Sequence, residues 1–405
     1  MKKSLLLLGL LSMGLTFVSC GDDNKGNGTA QTNDEKIIAE IDAEDTVEYT
    51  SARAKAWGNY MRVVGNLLVK DATTLYNDWA VSFNGGASYG SQFKGLKLKG
   101  LTTSLACVEQ VLDGMSDIAN EVGEAKIGDP YKLYTTKYPD KKSMRAGLYA
   151  VESWYSWHSR LDYSNNILSI RNAYYGVYDK NIGSMSKTPA ANSMYKVVEA
   201  KNPGLHTQVV AAIDAAIKAI QDIPQPFRNH INSAESVKAQ TACATLQSLL
   251  SKELKTFFSE KANTEAELAP VVAQVVDAVI LPTYKDLLDL NTNLYKKVVA
   301  FEEKPSNAAF AACCEAWIAA RQPWESSEAF LFGPVSDKGL DPNMDTWPLD
   351  QDGIMNVLKS QKWADLEWTG EFNEDDASIG ASQALRGFHT LEFLIFKNGK
   401  ARTIR

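Results

Sequence analysis

QVVAAIDAAIKAIQDI, at residues 208–223, has apolar side chains at intervals of three and four with charged residues between them. This period places the apolar residues on one face of an α-helix. The same pattern recurs in TLQSLLSKELKTFF at 245–258 and in APVVAQVVDAVILPTYKDLLDL at 269–290, whereas strand-like alternation is hard to find. The sequence therefore predicts an all-α protein in which about eight to ten helices form two bundles.

The N-terminus has the pattern of a bacterial lipoprotein signal. Lys2 and Lys3 precede an apolar stretch that is too short to span a membrane comfortably. Ser19 and Cys20 follow it, and a small residue before cysteine is typical of a lipoprotein cleavage site. We expect a signal peptide over residues 1–19 and lipid on Cys20; an ordinary secretory signal with a chance cysteine is the alternative.

A polar stretch, GDDNKGNGTAQTNDE, follows the predicted cleavage site. It lacks apolar periodicity and cannot bury enough surface to fold, so residues 20–35 are predicted to form a lipidated, flexible tether. Asp22 and Asp23 favour sorting to the outer membrane. The expected location is therefore the cell envelope, on the periplasmic side or the cell surface of that membrane.

The composition excludes one class of partner. The net charge is −7 and no cluster of basic residues is present, which argues against nucleic-acid binding. The four other cysteines lie in apolar, helix-like segments and lack the CxxC spacing of a metal site: Cys107, Cys243, Cys313 and Cys314. They are predicted to be core residues rather than metal ligands.

The segment SIGASQALRGFHTLEFLIF, residues 378–396, predicts one helix. His389 and Glu392 are three residues apart and project from the same apolar face. If buried, they must be paired or bound to a metal ion. On spacing alone, a buried His–Glu pair explains this loose pattern better than a metal site does.

A second stripe lies in ESWYSWHSRLDYSNNILSIRNAYYG, which begins at Glu152. Glu152, Ser156, Ser159, Asp162 and Asn166 recur at spacings of 4, 3, 3 and 4, which predicts one polar face of a helix. A solvated face is the simplest interpretation in isolation. Its side chains are short and oxygen-bearing, however, where a solvated helix usually has lysine and glutamate.

A third segment is AWIAARQPWESSEAFLFGPV, residues 316–335. Pro323 is expected to end or kink its helix, and Arg321 and Glu328 lie beside apolar residues. Arg321 is predicted to pair with a carboxylate, and a core stripe with an Arg–Glu clamp explains the segment equally well. The Gly- and Pro-rich loop at 333–350 is long enough to indicate function.

Together the three segments resemble the imelysin-like family. Its signature, GxHxxE, is met by Gly387, His389 and Glu392. The resemblance begins near residue 45 and is weakest between about residues 180 and 265.

The order of the segments differs from the usual family order. Here ESWYS precedes GFHTLE, so the chain resembles a circularly permuted member whose junction lies near residues 262–272.

The resemblance implies two similar four-helix bundles packed side by side, with a site between them. Residues 36–94 and 265–405 would form the bundle with GxHxxE, and residues 95–264 the other. The implied metal ligands are His389, Glu392, Glu328 and Glu152. The other implied site-lining residues are Gly387, Arg321, Ser156 and Asp162.

The family was first classed as metallopeptidases and is now tied to bacterial iron uptake. The resemblance implies a lipid-anchored, non-enzymatic protein of iron or other metal acquisition. Its partners would be the membrane and components of an iron-uptake system. A carboxylate-rich ligand set favours iron, with zinc and calcium left open.

Two alternatives remain on sequence grounds. In a metallopeptidase, the HxxE pair would supply metal ligands or a general base, but the chain has neither HExxH nor HxxEH. In a binding module for heme or for another protein, His389 would be purely structural.

Overall fold

The computed structural model describes residues 32–404, which are almost entirely helix and connecting loops. The described residues are 71% helical, so the predicted all-α class is confirmed. The predicted signal peptide, Cys20 and the tether as far as residue 31 lie outside the described residues.

The helices are more numerous than the periodicity predicted, because short helices occupy several segments that the sequence indicates only as loops. In chain order they are α1 Asn33–Glu44, α2 Ala54–Ala80, α3 Tyr89–Lys94, α4 Ser104–Asn120, α5 Asp129–Thr135, α6 Lys141–Ala150, α7 Ser159–Tyr175, α8 Met194–Lys201, α9 Pro203–Gln221, α10 Ala234–Ser248, α11 Lys255–Lys261, α12 Glu265–Val275, α13 Leu281–Glu303, α14 Asn307–Glu325, α15 Pro334–Asp337, α16 Leu340–Asp345, α17 Gln351–Ser360, α18 Ala377–Gln383 and α19 Gly387–Ile395.

Other short elements complete the architecture. Strands β1 Phe396–Lys397 and β2 Lys400–Ala401 form an antiparallel hairpin after α19. Single-turn 3₁₀-helices cover Ile182–Ser184, Phe227–Asn229, Glu328–Phe330 and Trp363–Leu366, and π-helical segments cover Glu121–Gly128, Leu249–Leu254 and Val276–Ile280.

Side-chain caps fix where several helices begin. Thr32 and Glu35 form a reciprocal capping box at the start of α1. Thr103, Ser233 and Ser306 each accept a hydrogen bond from a backbone N–H in the first turn of the helix that follows. These bonds satisfy donors that have no partner within the helix.

One group of helices packs around the C-terminal half of the chain. Helices α12 and α13 join through a π-helical segment into a continuous helix, Glu265–Glu303, which packs against α2 and α14. This helix is long and apolar enough to cross a membrane by length and composition. Val271, Val275, Val279 and Leu287 are nevertheless buried in the protein core, as in a core helix.

A second group forms around α4, α7, α9 and α10. Helix α7 also packs against α14 of the first group, so polar residues of α7 face the C-terminal half of the chain. Helix α1 lies with the second group, because Asp42 pairs with Arg228 and Glu44 pairs with Arg145. The residue bounds of the two predicted bundles stay a prediction.

The prediction of one helix over 378–396 is wrong. Helix α18 ends at Gln383, a turn follows, and α19 begins at Gly387. The φ angle of Gly387 is +88°, and a Cβ there would lie 2.5 Å from the carbonyl oxygen of Met344. The glycine therefore allows a sharp reversal and a close approach that other residues could not adopt.

The predicted helix through Glu152 is also wrong at its start. Residues 151–158 form turns, with Ser153 and Trp157 at positive φ, and α7 begins only at Ser159. The five predicted polar residues are buried rather than solvated: Glu152, Ser156, Ser159, Asp162 and Asn166.

The four cysteines Cys107, Cys243, Cys313 and Cys314 are buried free thiols, as expected of core residues. Burial raises the pKa of Cys243 to about 12. Because the thiolate is the reactive form, these side chains are chemically protected.

Candidate metal centre between the helical groups

His389 lies in the first turn of α19 and is fully buried. The turn at Gly387 aims it inward, and the indole N–H of Trp317 donates to the carbonyl of Phe388 at 2.9 Å, which fixes the start of the helix. The ring of Trp347 lies against the imidazole, with centroids 4.9 Å apart. The orientation of the imidazole is therefore set by packing as well as by polar contacts.

Glu392 holds one side of this imidazole. Its Oε2 lies 2.8 Å from Nδ1 of His389, as the predicted spacing of three residues allows. Its Oε1 accepts the backbone N–H groups of Tyr155, at 3.1 Å, and Ser156, at 2.7 Å. Both carboxylate oxygens of Glu392 therefore have hydrogen-bond partners. The N–H groups of Tyr155 and Ser156 can reach Glu392 because residues 151–158 form a turn and not a helix.

The other ring nitrogen faces two carboxylates. Nε2 of His389 lies 3.1 Å from Oδ1 of Asp345 and 3.3 Å from Oε1 of Glu152. One ligand atom from each of these three residues lies within 4.8 Å of the other two, a spacing that suits a single metal ion. Helix α16 supplies Asp345, whose Oδ2 also accepts the indole N–H of Trp324 at 2.7 Å.

Arg321 occupies the centre of the same cluster. Its guanidinium lies 2.9 Å from Glu152 and 2.6 Å from Glu325, and it also bonds to Asp345. Its NH2 lies 3.2 Å from Nε2 of His389. A metal ion bound to these oxygens must therefore displace N–H contacts of Arg321.

A second acidic group adjoins the first. Oxygens of Glu325, Glu328 and Asp345 lie within 4.8 Å of one another. Lys126, from the π-helical segment after α4, pairs with Glu152 at 2.7 Å. The amide of Asn166 on α7 donates to Glu325 at 2.5 Å, so both helical groups contribute to the cluster.

Three basic side chains of the cluster face more carboxyl groups than they can neutralise. The basic groups are Lys126, Arg321 and His389, and the carboxyl groups are Glu152, Asp162, Glu325, Glu328, Asp345 and Glu392. If all were ionised, six negative and three positive charges would leave three negative charges in excess. Such an excess cannot stay buried without bound protons or a cation.

The pKa values divide the carboxyl groups into two classes. Burial opposes ionisation of Glu152, but the Lys126 charge and the His389 contact outweigh it and lower the pKa of Glu152 to about 2. Burial likewise opposes ionisation of Asp345, but the Arg321 charge and His389 hold its pKa below the usual range. Burial, only partly offset by Arg321, raises the pKa of Glu325 to about 8.

The pKa values of Glu328 and His389 are both raised above their ordinary values. Burial raises the pKa of Glu328 well above its usual value, against the opposing charge of Lys126. Burial and the Arg321 charge lower the pKa of His389, but its contacts with Asp345, Glu152 and Glu392 outweigh both and raise it. The cluster can thus approach neutrality by holding protons on some carboxyl groups while the imidazole is charged.

The structure brings together most of the residues singled out in the sequence. Four of them contact one another directly or through one shared partner: His389, Glu392, Glu152 and Arg321. Glu328 instead joins the second acidic group. Two further predicted residues line the cluster: Ser156, through its N–H, and Asp162, 3.7 Å from Arg321.

Sequence reasoning missed Asp345, Lys126 and Glu325. Glu325 is four residues after Arg321, and that helical spacing was a signal for their ion pair. Asp345 lies in the loop predicted to be functional, without a local pattern to single it out. Lys126 carried no signal, because its partner Glu152 is 26 residues away.

Named relatives are similar to this chain in sequence, and one of them is also similar in fold. A crystal structure described as an imelysin peptidase from Bacteroides ovatus is 52% identical, with a TM-score of 0.84, over 89% of this chain and 99% of that chain. Iron-regulated protein A of Synechococcus elongatus is 32% identical over 142 residues, which is 35% of each chain. The match therefore spans about a third of that relative's length.

A family model described as Imelysin matches residues 27–253 and 280–405. The stretch outside the match includes residues 262–272, the predicted junction, while the permuted order itself stays a prediction. The resemblance seen in the three segments is confirmed, and the chain belongs to the imelysin family.

Proposed function

We propose that this chain is a lipid-anchored protein of iron or other metal acquisition. It binds a metal ion, or a ligand that carries one, in the cluster around His389. One observation carries the proposal: Nε2 of His389 and oxygens of Glu152 and Asp345 lie within 4.8 Å of one another.

The contacts of His389 support this arrangement. A histidine that binds a metal usually directs its other nitrogen to a carboxylate, which orients the ring. Glu392 does so at Nδ1, and an ion held by Nε2, Glu152 and Asp345 would replace the proton on Nε2, which binding would release. We therefore assign Glu392 to orienting the imidazole and place Asp345 among the ligands.

The donor set is consistent with iron. Two carboxylates and one imidazole suit iron or manganese better than a typical zinc site. An ion held by Glu152 and Asp345 would replace their contacts with Arg321, which would keep Glu325 as a partner at 2.6 Å. The name of the cyanobacterial relative, Iron-regulated protein A, also supports iron over other metals.

Metal titration tests the proposal. The purified protein would be titrated with Fe(II) under anaerobic conditions and then with Mn(II) and Zn(II), with calorimetry and elemental analysis as readouts. His389→Gln is expected to abolish binding. Glu392→Gln is expected to weaken it by about 10- to 100-fold, because it removes only the orienting contact.

His206→Gln serves as the matched control, since His206 contacts Tyr174 and Tyr195 rather than the cluster. Circular dichroism of each variant checks the fold. Equal iron content in wild type and His389→Gln would refute the proposed site.

A metallopeptidase is the second candidate, favoured by the description of the Bacteroides ovatus relative as an imelysin peptidase. The pKa of Glu325, raised by burial to about 8, also lies in the range of a general base. Cleavage of a peptide library that is lost both with a chelator and in Glu325→Gln would establish this activity. Cleavage insensitive to both would exclude the cluster as its source.

A further inference from the structure

The α5–α6 turn, defined here as residues 132–142 and so including the end of α5 and the start of α6, exposes large apolar side chains. Leu133 is 43% exposed and Tyr138 is 48% exposed. In the part of the chain that the structure describes, the other strongly exposed large apolar side chains are Val81, just after α2, and Val237, on α10. Isolated exposed residues are ordinary, but two within six residues on one turn form a local apolar surface.

Lysines surround this apolar surface. Lys132, Lys137 and Lys142 are exposed, and among residues 32–404 none of them has an ion-pair partner. The neighbouring Lys141 pairs instead with Glu40 of α1, at 3.0 Å. This combination of unpaired lysines and exposed apolar side chains is a local feature of a chain whose net charge is −7. It resembles the basic and apolar composition of membrane-surface segments.

The first described helix is fastened at this same turn. Asp34 in the first turn of α1 accepts hydrogen bonds from the hydroxyls of Tyr138, at 2.6 Å, and Tyr134, at 3.1 Å. The amide of Asn232 adds a third, at 3.1 Å. The chain therefore enters the fold beside the apolar surface.

The length of chain before α1 limits how far this turn can lie from a membrane. Eleven residues lie between Cys20 and Thr32, so twelve Cα–Cα steps connect the two. Even fully extended, they span at most about 43 Å. A lipid on Cys20 would thus keep the turn close to the bilayer.

We infer that the α5–α6 turn, residues 132–142, is the face of the protein that lies against the bilayer. Its lysines contact anionic headgroups, and Leu133 and Tyr138 enter the interfacial layer, where tyrosine is favoured. This inference rests on the lipid anchor of the proposed function. It adds an orientation that the anchor alone does not supply.

A fluorescent label at the turn tests the inference. Leu133→Cys in the full-length mature lipoprotein would be labelled with NBD and reconstituted into vesicles of phosphatidylcholine and phosphatidylglycerol that contain brominated lipid. The native thiols of the fold are buried, so labelling is selective. We expect a blue shift and quenching by the bromine atoms. A label at Val81→Cys, where the valine is 65% exposed just after the end of α2, is the matched control and should show neither.

A charge reversal tests the role of the lysines. Replacing Lys132, Lys137 and Lys142 with glutamate should remove most of the quenching at residue 133. The control replaces three exposed lysines elsewhere: Lys55, Lys97 and Lys99. Quenching that survives the first triple change, or that is lost equally in the control, would overturn the headgroup contact.

Flotation of the vesicles separates the two levels of the hypothesis. If the wild-type protein does not float, the anchor is wrong and the inferred face falls with it. If it floats but labels at 133 and 81 are quenched equally, or neither is quenched, only the inferred face is wrong. Metal binding is measured without vesicles and is unaffected by either result.

Discussion

Arg321 and Arg228 are both buried charges, at 0% and 1% exposure, but their surroundings differ. Among residues 32–404, Arg228 has a single carboxylate partner, Asp42 at 2.5 Å, and its guanidinium lies 3.9 Å from the centroid of the Trp154 ring. Arg321 lies among several carboxylates and an imidazole. One carboxylate and an aromatic face are enough to bury an arginine for structural purposes.

The additional carboxyl groups around Arg321 are therefore not needed to bury its charge. They cost desolvation free energy that a purely structural ion pair avoids. Excess acid beside a buried arginine is thus a better sign of a binding site than burial or ion pairing alone. Each of the following variants tests this distinction.

The largest effect is expected at Arg321. Arg321→Met leaves Glu152, Glu325 and Asp345 without their shared cation, so the free energy of unfolding should fall by about 3–5 kcal/mol. Urea denaturation in a chelator measures the loss, and Arg321→Lys, which keeps the charge, should lose less. Recovery of stability on adding metal would show that an ion can replace the arginine. Unchanged stability of Arg321→Met would refute the view that this cation holds the cluster together.

A smaller loss is expected at Arg228. Arg228→Met keeps an apolar contact with Trp154 and leaves only Asp42, which is partly exposed, so the loss should be about 2 kcal/mol. The same urea experiment measures it, and added metal should restore nothing. A loss as large as that of Arg321→Met would remove the contrast between the two arginines.

A third effect concerns pH. The folded pKa of Glu325, about 8, exceeds the ordinary value of 4.5, so the fold favours its protonated form. That stabilisation is complete below the ordinary pKa and is lost as pH rises toward the folded one. Glu325→Gln should therefore reduce the stability that is lost between roughly pH 5 and pH 8.

Unfolding in a chelator at several pH values checks this slope. The exposed Glu253→Gln is the control and should follow the wild type. If Glu325→Gln also follows the wild type, the carboxyl group is ionised in the fold and its excess charge must be balanced in another way.

Local patterns predicted the fold class and part of the site. Helical period identified the long helices, and a spacing of three residues placed His389 and Glu392 on one face, where they bond at 2.8 Å. These features depend on residues close in sequence, which backbone geometry alone brings together.

The remaining features depend on tertiary structure. Asp345 reaches His389 from a six-residue helix inside a loop, and Lys126 reaches Glu152 from a π-helical segment. Neither segment has a period that would indicate its contribution. Residues 151–158 form a turn although the polar residues there follow the spacing of a helix. The turn is stabilised because two of its backbone N–H groups donate to Glu392.

The conformation of Gly387 has a consequence for genetic screens of this protein. A screen that replaces only charged and polar residues would find Glu152, Asp345 and His389 but would pass over a residue that has no side chain. Yet a one-base change from a glycine to an alanine codon would press a methyl group against the Met344 carbonyl and turn His389 away from its partners. Loss-of-function alleles at codon 387 should therefore resemble alleles of the proposed ligands themselves.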